Sequence, residues 1–547
     1  MRIVLVNWAR IADGASLGGG VNGYVQSLAA ELADRGHDVS YLSSGTSYVP
    51  ASWSRTPGPC EVRQLDNFRS PSASTIRVFE VINSPVLAPG WFQFRDPSPE
   101  LRAPDLEREL ARFFSLLRPD IVHFHNIEGL SAGCPEVASA AGARVLFSLH
   151  NYHTICPQVY FMQGGDTPCS SFDNGHACVS CALRVNAPLP SEERSHRDLA
   201  FVQSHKPWLA GGLRLRLPIL RQAAAEVASL LRPQGTPLLP GRDTRLAIHD
   251  PAPPPPGPPI GDLAGSSPER PESREHPSAA HAPLHNTITP EPPSDKPPNH
   301  YAHRRHAMVS MLNACDRVLA VSAFVQHKFE SMGVEPARLH LQHIGSRMTS
   351  IAAARPSILP DPPPLDPPHP IRLAFLGYHN YFKGLHVLAD TLDALAPAHL
   401  ARLDLRIHAK DVDSIEHRFR DLEPRLARLI ISNGYRYEDI PRLLSTVHAG
   451  LVPSVWWDNG PQTVMEFLAC RVPVIASNIG GIPDFITHDR NGLLFTANDR
   501  AKLRGTLERI ILDPALLPRL RANIVPPLSM HDHAADMERT YNEVLRG

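Results

Sequence analysis

Two regions of this chain each begin with a short apolar run that is followed at once by a glycine-containing loop and a helical pattern. In the first region, RIVLVNW (2–8) precedes a glycine-rich loop and a helix pattern that ends at Gly36. In the second, IRLAFLG (371–377) precedes a loop with Lys383-Gly384 and another helix pattern. Short β-branched runs are typical of buried parallel strands, and their alternation with helices predicts doubly wound α/β sheets. We expect two Rossmann-like domains facing a cleft.

Two proline-rich stretches separate these regions. From 233 to 300 the composition turns to Pro, Ser, His and charged residues, which cannot bury a core, and this predicts a disordered insertion. The stretch 355–370 predicts an interdomain linker. The predicted organisation is an N-terminal domain (1–232 and 301–354), the insertion (233–300), the linker (355–370), a C-terminal domain (371–528) and a closing helix that crosses back (529–547).

Charge and hydropathy exclude several classes of protein. The 547 residues carry a formal net charge of −1, which indicates no general attraction to nucleic acid. No apolar run is long enough to span a bilayer, and the N-terminal run is too short for a signal peptide. We therefore expect a cytoplasmic protein. The segment 213–233 is either a basic amphipathic helix on the inner face of a membrane or a helix packed on its own domain.

Polar residues follow two of the predicted strands. The strand pattern PDIVHFHN (119–126) ends in His125 and Asn126, and the next strand pattern ends in His150 and Asn151. Ligands of doubly wound sheets bind at the carboxyl ends of the strands. These four side chains therefore mark a candidate site in the first region.

The stretch WWDNGPQTVMEF (456–467) predicts an anion site at the start of a helix. Pro461 suits the first helical turn, which leaves the N–H groups of Gln462, Thr463 and the next residue free for a phosphate. Asp458 precedes the helix and Glu466 lies about one turn inside it. Carboxylates that accept from hydroxyls on both sides of a phosphate site suit a sugar nucleotide. The alternative is an ordinary helix start with two exposed acids.

The segment VPSVWWDNGPQTVMEFLACRVPVIASNIGGIPDFITHDRNGLLF resembles the donor-site signature of the family 4 retaining glycosyltransferases, which have the GT-B fold. GGGVNGYVQSLAAELADRGHDV resembles their first loop and helix. PDIVHFHN, CDRVLAVSAFVQHKF and FLGYHNYFKGL match their later landmarks in family order. The resemblance covers nearly the whole chain outside the two proline-rich stretches.

This resemblance implies a role for each matching residue. Glu466 would bind the nucleotide ribose, Asp458 would contact the transferred sugar, and Lys383 would neutralise the donor diphosphate. His125 would lie near the reacting centre on the acceptor side. The implied donor-binding set, which combines loop glycines with the helix start, is Gly19, Gly20, Gly377, Gly460, Gln462, Thr463 and Glu466. The implied catalytic set is His125, Lys383, Asp458 and Glu466.

The sequence departs from the family pattern at two of these positions. Asp458 stands where glutamate is usual, and Tyr378 follows Gly377 where the family often has arginine. One expected cation at the diphosphate is therefore missing. Lys383 then carries more of the charge, or one of three other residues substitutes for the arginine, namely Arg347, His379 or Lys410.

Four of the eight cysteines lie within one short segment. Cys156, Cys169, Cys178 and Cys181 have the count for a tetrahedral zinc site, although their outer gaps are unlike those of a common zinc ribbon. An iron–sulfur cluster and disulfides or free thiols are the alternatives, and His153 and His176 are alternative ligands. A subset of the similar family carries such a loop, which implies a structural role on the acceptor side.

The function implied by the resemblance is transfer of a sugar from a nucleotide-sugar donor to a glycan or lipid-linked acceptor, with retention, in cell-envelope polysaccharide biosynthesis. The expected partners are this donor and acceptor, with no catalytic metal. One rival is a sugar phosphorylase or epimerase on the same scaffold. Another is a catalytically degenerate binding protein.

Overall fold

A computed structural model describes residues 1–49, 58–205, 288, 291–354 and 369–547. Most of the predicted insertion and linker, and the whole segment 213–233, lie outside these residues, so the predictions made for them stay untested. Within the described ranges, none of the helices combines the length and the apolar character needed to cross a lipid bilayer.

The first half of the chain forms a mainly parallel sheet. Its order is β11-β10-β7-β6-β1-β2-β5-β3, with β4 paired on β5. Ile3 of β1 pairs with Val39 on one side and with Ile121 on the other. These strands are β1 Arg2–Asn7, β2 Asp38–Ser47, β3 Glu61–Gln64, β4 Phe68–Arg69, β5 Thr75–Ile82, β6 Ile121–Phe124, β7 Arg144–Leu149, β10 Arg317–Ala320 and β11 Leu339–Leu341, while β8 Met162–Gln163 and β9 Thr167–Pro168 form a separate hairpin.

Helices flank this sheet because their apolar faces cover buried strands such as β1, where Leu5 and Val6 are fully buried. They are α1 Gly19–Asp34, α2 Ser98–Leu101, α3 Pro104–Leu117, α4 Cys134–Ala140, α5 His176–Arg184, α6 Pro190–His205, α7 His300–Ala314, α8 Ala323–Ser331 and α9 Arg347–Ala354. Helix α8 begins after Ser322, whose hydroxyl accepts a hydrogen bond from the N–H of Val325.

The second half forms a six-stranded parallel sheet in the order β14-β13-β12-β15-β16-β17. Its strands are β12 Ile371–Tyr378, β13 Leu403–Lys410, β14 Arg428–Asn433, β15 Ala449–Val452, β16 Val474–Ser477 and β17 Gly492–Phe495. Its helices are α10 Leu385–Asp393, α11 Pro397–Leu400, α12 Asp413–Leu422, α13 Ile440–Leu444, α14 Gln462–Ala469, α15 Arg500–Leu512 and α16 Leu516–Ala522. Short 3₁₀ segments include Tyr381–Lys383 and Tyr437–Asp439. Two domains with parallel sheets confirm the predicted fold class.

The last helix, α17 Met530–Arg546, returns to the first half of the chain. The Tyr24 hydroxyl of α1 lies 2.7 Å from His533 Nε2, and the Tyr541 hydroxyl lies 2.8 Å from His123 Nδ1 on β6. These contacts confirm the predicted helix that crosses back. The domain limits given above stay a proposal, because several of them fall in or beside the stretches that are not described.

Candidate functional site

Helix α14 carries the stretch that the sequence singled out. The sequence predicts Pro461 in the first helical turn, but in the structure Pro461 precedes the helix. Its ψ of 83° lies outside the helical range. The first backbone hydrogen bond runs from Met465 N to Pro461 O at 3.2 Å. The N–H groups of Gln462 and Thr463 therefore lie ahead of the first intrahelical bond, where the helix dipole favours an anion.

Glu466 of the same helix is a buried carboxylate, with 8% of its surface exposed. Among the described residues, its side chain has no hydrogen-bond partner. Burial raises the pKa of Glu466 to about 8, although the charges of Arg347 and Lys383 oppose that rise. A buried acid without a partner is costly in the free protein, and a ligand hydroxyl at this place would satisfy it.

Lys383 and Asp458 form an ion pair beside this helix. Lys383 Nζ lies 3.0 Å from Asp458 Oδ2, and their side chains are 17% and 12% exposed. Burial lowers the pKa of Lys383, but the nearby charges of Asp458 and Glu466 outweigh it and raise that pKa above its ordinary value. The Asn380 side chain accepts from the N–H of Lys383 at 3.1 Å, which fixes the loop that presents the lysine.

Tight backbone packing holds this lysine loop against the second sheet. Gly384 has a φ of 73°, and a Cβ there would lie 1.8 Å from the carbonyl oxygen of Pro453. Gly480 has a φ of 58°, and a Cβ there would lie 2.5 Å from the backbone nitrogen of Asp458. Only glycine fits at these two positions, so they set where the ion pair lies.

The glycine-rich loop of the first domain meets helix α14. Helix α1 begins at Gly19, and a Cβ on Gly20 would lie 2.7 Å from the side chain of Gln462. The structure therefore brings the N-termini of α1 and α14 together, as expected for two predicted donor-binding elements. Gly19 has a φ of 60° and open space around its Cα, and Gly377 has a φ of 142° at the end of β12.

The first domain also packs on the loop before α14. Gly460 faces Ile344 and Val321, at ordinary contact distances for an added Cβ. Next to it, Asn459 is 2% exposed, and neither polar atom of its side chain has a partner within the described residues. Asn459 is not among the residues predicted from the sequence, because nothing in its sequence neighbours indicates burial.

Aromatic side chains from the first domain support the ion pair. Tyr160 stacks on Phe382 with ring centroids 4.6 Å apart, directly beside Lys383. The Tyr152 hydroxyl donates to the carbonyl oxygen of Trp457 at 2.8 Å, directly before Asp458. The segment that holds the clustered cysteines therefore reaches the second domain at the site.

Four histidines lie close together where the last helix packs on the first domain. They are His123 on β6, His125 after β6, His150 after β7 and His533 on α17. His125 Nδ1 lies 3.1 Å from His150 Nε2, and His125 Nε2 is buried with no partner among the described atoms. Burial, and then the neighbouring His123 and His150, lower the pKa of His125 well below its ordinary value. Tyr24 packs against both His125 and His150. His125 is therefore a neutral imidazole at pH 7.

The asparagines that follow these histidines have a structural partner. Asn126 Nδ2 and Asn151 Nδ2 donate to Glu128 Oε1 at 2.9 and 3.0 Å. The second oxygen of Glu128 accepts from the N–H of Gly90 at 2.5 Å. The structure brings the strand-end side chains together, but the two asparagines fix loops rather than face a free site.

The clustered cysteines approach one another without forming a metal centre. Burial raises the pKa of Cys156 and Cys181 to about 11 and that of Cys169 to about 12, and in each case a neighbouring cysteine adds to the rise. Burial also raises the pKa of Cys178. In the part of the chain that is described, no group of three or more His, Cys, Asp or Glu side chains is placed to hold a metal ion. As placed, the four cysteines do not fit a metal centre, and zinc stays a prediction.

Of the three residues that could replace the missing arginine, Arg347 is the one whose charge acts on Glu466. Tyr378, which stands at the arginine position, is 38% exposed, and its ring centroid lies 5.5 Å from Lys383 Nζ. His379 is partly buried with Nδ1 unpartnered among the described residues, and Lys410 is exposed at the end of β13.

Two family models match the chain. The model described as glycosyl transferases group 1 matches residues 370–513, and the model described as glycosyl transferase 4-like domain matches residues 19–228. Together they cover more than half of the chain and contain both halves of the site.

Curated relatives match part of the chain. The chain is 28% identical to the alpha-maltose-1-phosphate synthase of Mycolicibacterium smegmatis over 221 residues. This match covers 37% of this chain and 56% of the relative. It is 24% identical over 200 residues to the putative colanic acid biosynthesis glycosyltransferase WcaL of Escherichia coli K12, which covers 35% of this chain and 47% of the relative. The matched part thus spans about half the length of these relatives.

Solved structures match over the whole length. The sucrose-phosphate synthase of Thermosynechococcus elongatus has a TM-score of 0.54 at 14% identity, covering 100% of this chain and 99% of its own. Anabaena Alr3699/HepE in complex with UDP has a TM-score of 0.51 at 12% identity, covering 99% of this chain and 100% of its own. At such identities the likeness shows the fold, and it confirms the predicted GT-B architecture.

Proposed function

Because the chain belongs to the group 1 glycosyl transferases, we propose that it moves a sugar, of hexose type, from a nucleoside-diphosphate sugar to an acceptor hydroxyl, with retention at the anomeric carbon. The donor occupies the C-terminal domain and the acceptor occupies the N-terminal domain. Nucleotide ligands in the solved relatives, UDP in Anabaena HepE and ADP in the Arabidopsis thaliana starch synthase IV catalytic domain, suit this class of donor.

The observation that carries the proposal is the buried carboxyl group of Glu466, which has no hydrogen-bond partner among the described residues and lies beside the Lys383–Asp458 pair. A nucleotide sugar offers what these groups need: ribose hydroxyls for Glu466, a diphosphate for Lys383, and sugar hydroxyls for Asp458. The N–H groups at the start of α14 add positive potential for the diphosphate. Gly19 has open space where a Cβ would lie, and at Gly377 the nearest atom is 4.0 Å away, so the backbone can approach the ligand at these two glycines.

The reaction breaks the bond between the anomeric carbon and the terminal phosphate oxygen, and it forms a bond from the acceptor oxygen on the same face. Negative charge builds on the departing diphosphate, and Lys383 and the amides of α14 stabilise it. The acceptor proton passes to the departing phosphate oxygen. Neutral His125 lies on the acceptor side, where its unpartnered Nε2 accepts from or donates to the sugar.

A role in cell-envelope polysaccharide synthesis follows by analogy with the putative colanic acid glycosyltransferase among the relatives. The acceptor is then a glycan or a lipid-linked glycan, presented at the inner face of the membrane to a cytoplasmic enzyme. The proposed role in polysaccharide synthesis is supported by the sequence similarity to this relative alone.

Ligand-induced stabilisation tests the proposal. Purified protein is heated with UDP, GDP, ADP, dTDP, CMP and their sugars, beside Glu466→Ala and the exposed control Glu423→Ala. A ligand at about a hundred times its Kd adds roughly 2.7 kcal/mol of stability. We expect one nucleotide to stabilise the wild type and the control but not Glu466→Ala, and its sugar to release the diphosphate when an acceptor glycan is added. No stabilisation by any nucleotide would refute the proposal.

A further inference from the structure

Arg347 follows the last strand of the first sheet, and its charge acts on Glu466 of the proposed donor site. It opens helix α9. Two contacts hold this helix start in place: the N–H of Ser346 donates to Leu528 O at 2.7 Å, and a Cβ on Gly345 would lie 2.6 Å from His533 Cβ. The position of Arg347 is therefore set by the fold and not by its own side-chain contacts.

The guanidinium of Arg347 is stacked but only weakly paired. Its Cζ lies 3.8 Å from the ring centroid of Tyr437, and its contact to Glu438 is long, at 3.9 Å. The side chain is 36% exposed. Stacking fixes the plane of the guanidinium and leaves its N–H edge for a planar partner.

Helix α9, which Arg347 opens, packs against helix α14, and the charges of Arg347 and Lys383 both act on Glu466. The charge of Glu466 contributes to raising the pKa values of Tyr435 and Tyr437, after burial, and Arg347 opposes the effect on Tyr437. Asp458 contacts Lys383 instead. Glu466 is thus the group on which both cations act. With the ribose at Glu466 and the diphosphate at Lys383, Arg347 is the second cation beside Glu466 and is left for the base.

We propose that Arg347, stacked on Tyr437, is the residue that selects the nucleobase of the donor, and that it favours bases with carbonyl acceptors over adenine. This inference rests on the proposed function. Arginine has five N–H donors and no acceptor. Uracil, thymine and guanine present carbonyl oxygens to such an edge, whereas adenine presents an amino donor next to ring nitrogens. A site built to hydrogen-bond a group discriminates strongly against a ligand that lacks it.

Titration calorimetry with UDP, GDP and ADP tests the proposal on the full chain. The variants are Arg347→Ala and Arg347→Lys, and the control is Arg436→Ala, which removes an arginine that is 79% exposed and pairs with Asp439. We expect wild type and control to bind UDP or GDP at least about tenfold more tightly than ADP, the discrimination typical of a bidentate arginine–base contact. Both Arg347 variants should reduce this preference to about threefold or less.

Arg347→Lys separates base recognition from simple charge, and it also guards against misfolding because it keeps the cation and the aliphatic stem. Retained preference in Arg347→Lys, an equal loss for all three nucleotides, or tighter binding of ADP by the wild type would overturn the inference. Failure of the wild type to bind any nucleotide would refute the proposed function as well. Binding that depends on Glu466 but keeps its base preference without Arg347 would refute this inference alone.

Discussion

Lys383 Nζ lies 3.0 Å from Asp458 Oδ2, in a contact that joins the loop after β12 to the loop before α14. Both side chains are largely removed from water, so each charge depends on the other in the absence of a ligand. The pair is therefore part of the architecture of the free protein as well as part of the proposed donor site, and its two roles are separable by experiment.

Lys383→Ala should cost both stability and activity. Removing one partner of a buried pair leaves an uncompensated charge, which costs about 3 kcal/mol. Loss of a cation that stabilises the departing diphosphate lowers kcat by about 10²–10³. Denaturant unfolding and nucleoside diphosphate release measure the two effects. In Lys383→Ala/Asp458→Ala we expect stability to recover in part while activity stays low. The exposed control Lys502→Ala on α15 should change neither.

Glu466 should make the protein less stable as the pH rises. Its folded pKa, about 8, lies above the ordinary value of 4.5, so the native state holds a proton that the unfolded state has lost. This contribution is fully present below pH 4.5 and is lost as the pH rises to about 8. The expected slope for this group is about 1.4 kcal/mol for each pH unit inside that window.

Glu466→Gln isolates this effect, because the amide has similar shape and does not titrate. The stability difference between wild type and Glu466→Gln, measured by urea unfolding from pH 5 to 8.5, should move in favour of the variant as the pH rises. A difference that stays constant with pH would show that Glu466 has an ordinary pKa and is less isolated than its surroundings indicate.

The alternation of strands and helices could be predicted from sequence because each element carries its own pattern. The apolar runs at 2–8 and 371–377 form β1 and β12, and the stretch after Asp458 forms a helix start. Pro461 was placed one position too far into the helix, since proline fixes φ but leaves ψ free to adopt the observed value of 83°.

Contacts between distant segments could not be predicted in the same way. Nothing near Arg347 in the sequence shows that its charge acts on Glu466, because this effect depends on how α9 packs against α14. His533 likewise joins Tyr24 only after the last helix returns to the first domain. The family pattern indicated the candidate donor residues one by one. The burial that leaves Glu466 and Asn459 without partners among the described residues is a property of the packed structure.

The buried histidines should make the protein sensitive to acid. Burial lowers the pKa of His150 to about 3 and that of His533 to about 4, against an ordinary value of 6.5. Below pH 6.5 these histidines bind protons in the unfolded state but stay neutral in the native state. The free energy of unfolding therefore falls as the pH drops below 6.5. His150→Gln should lose about 1.4 kcal/mol less stability per pH unit than the wild type between pH 6 and 5.

His531 on α17 provides the control for this prediction, since its side chain is 69% exposed. His531→Gln is expected to follow the wild type through the acid transition. Comparison of each variant with the wild type at the same pH also removes the opposing contribution of Glu466. Equal acid sensitivity in wild type and His150→Gln would contradict the assignment of His150 as a neutral buried group.

The clustered cysteines should behave as slowly reacting thiols. A thiolate is the reactive form, and burial raises the pKa of Cys156, Cys169 and Cys181 to about 11 or 12. At pH 8 we expect iodoacetamide to label them far more slowly in the folded protein than in urea, as followed by mass spectrometry. Metal analysis of the same sample decides the zinc prediction. A metal site would be established by about one zinc per chain in the wild type, loss of this zinc in Cys178→Ser, and faster labelling after a chelator is added. Free thiols would be established by slow labelling of folded protein that contains no metal.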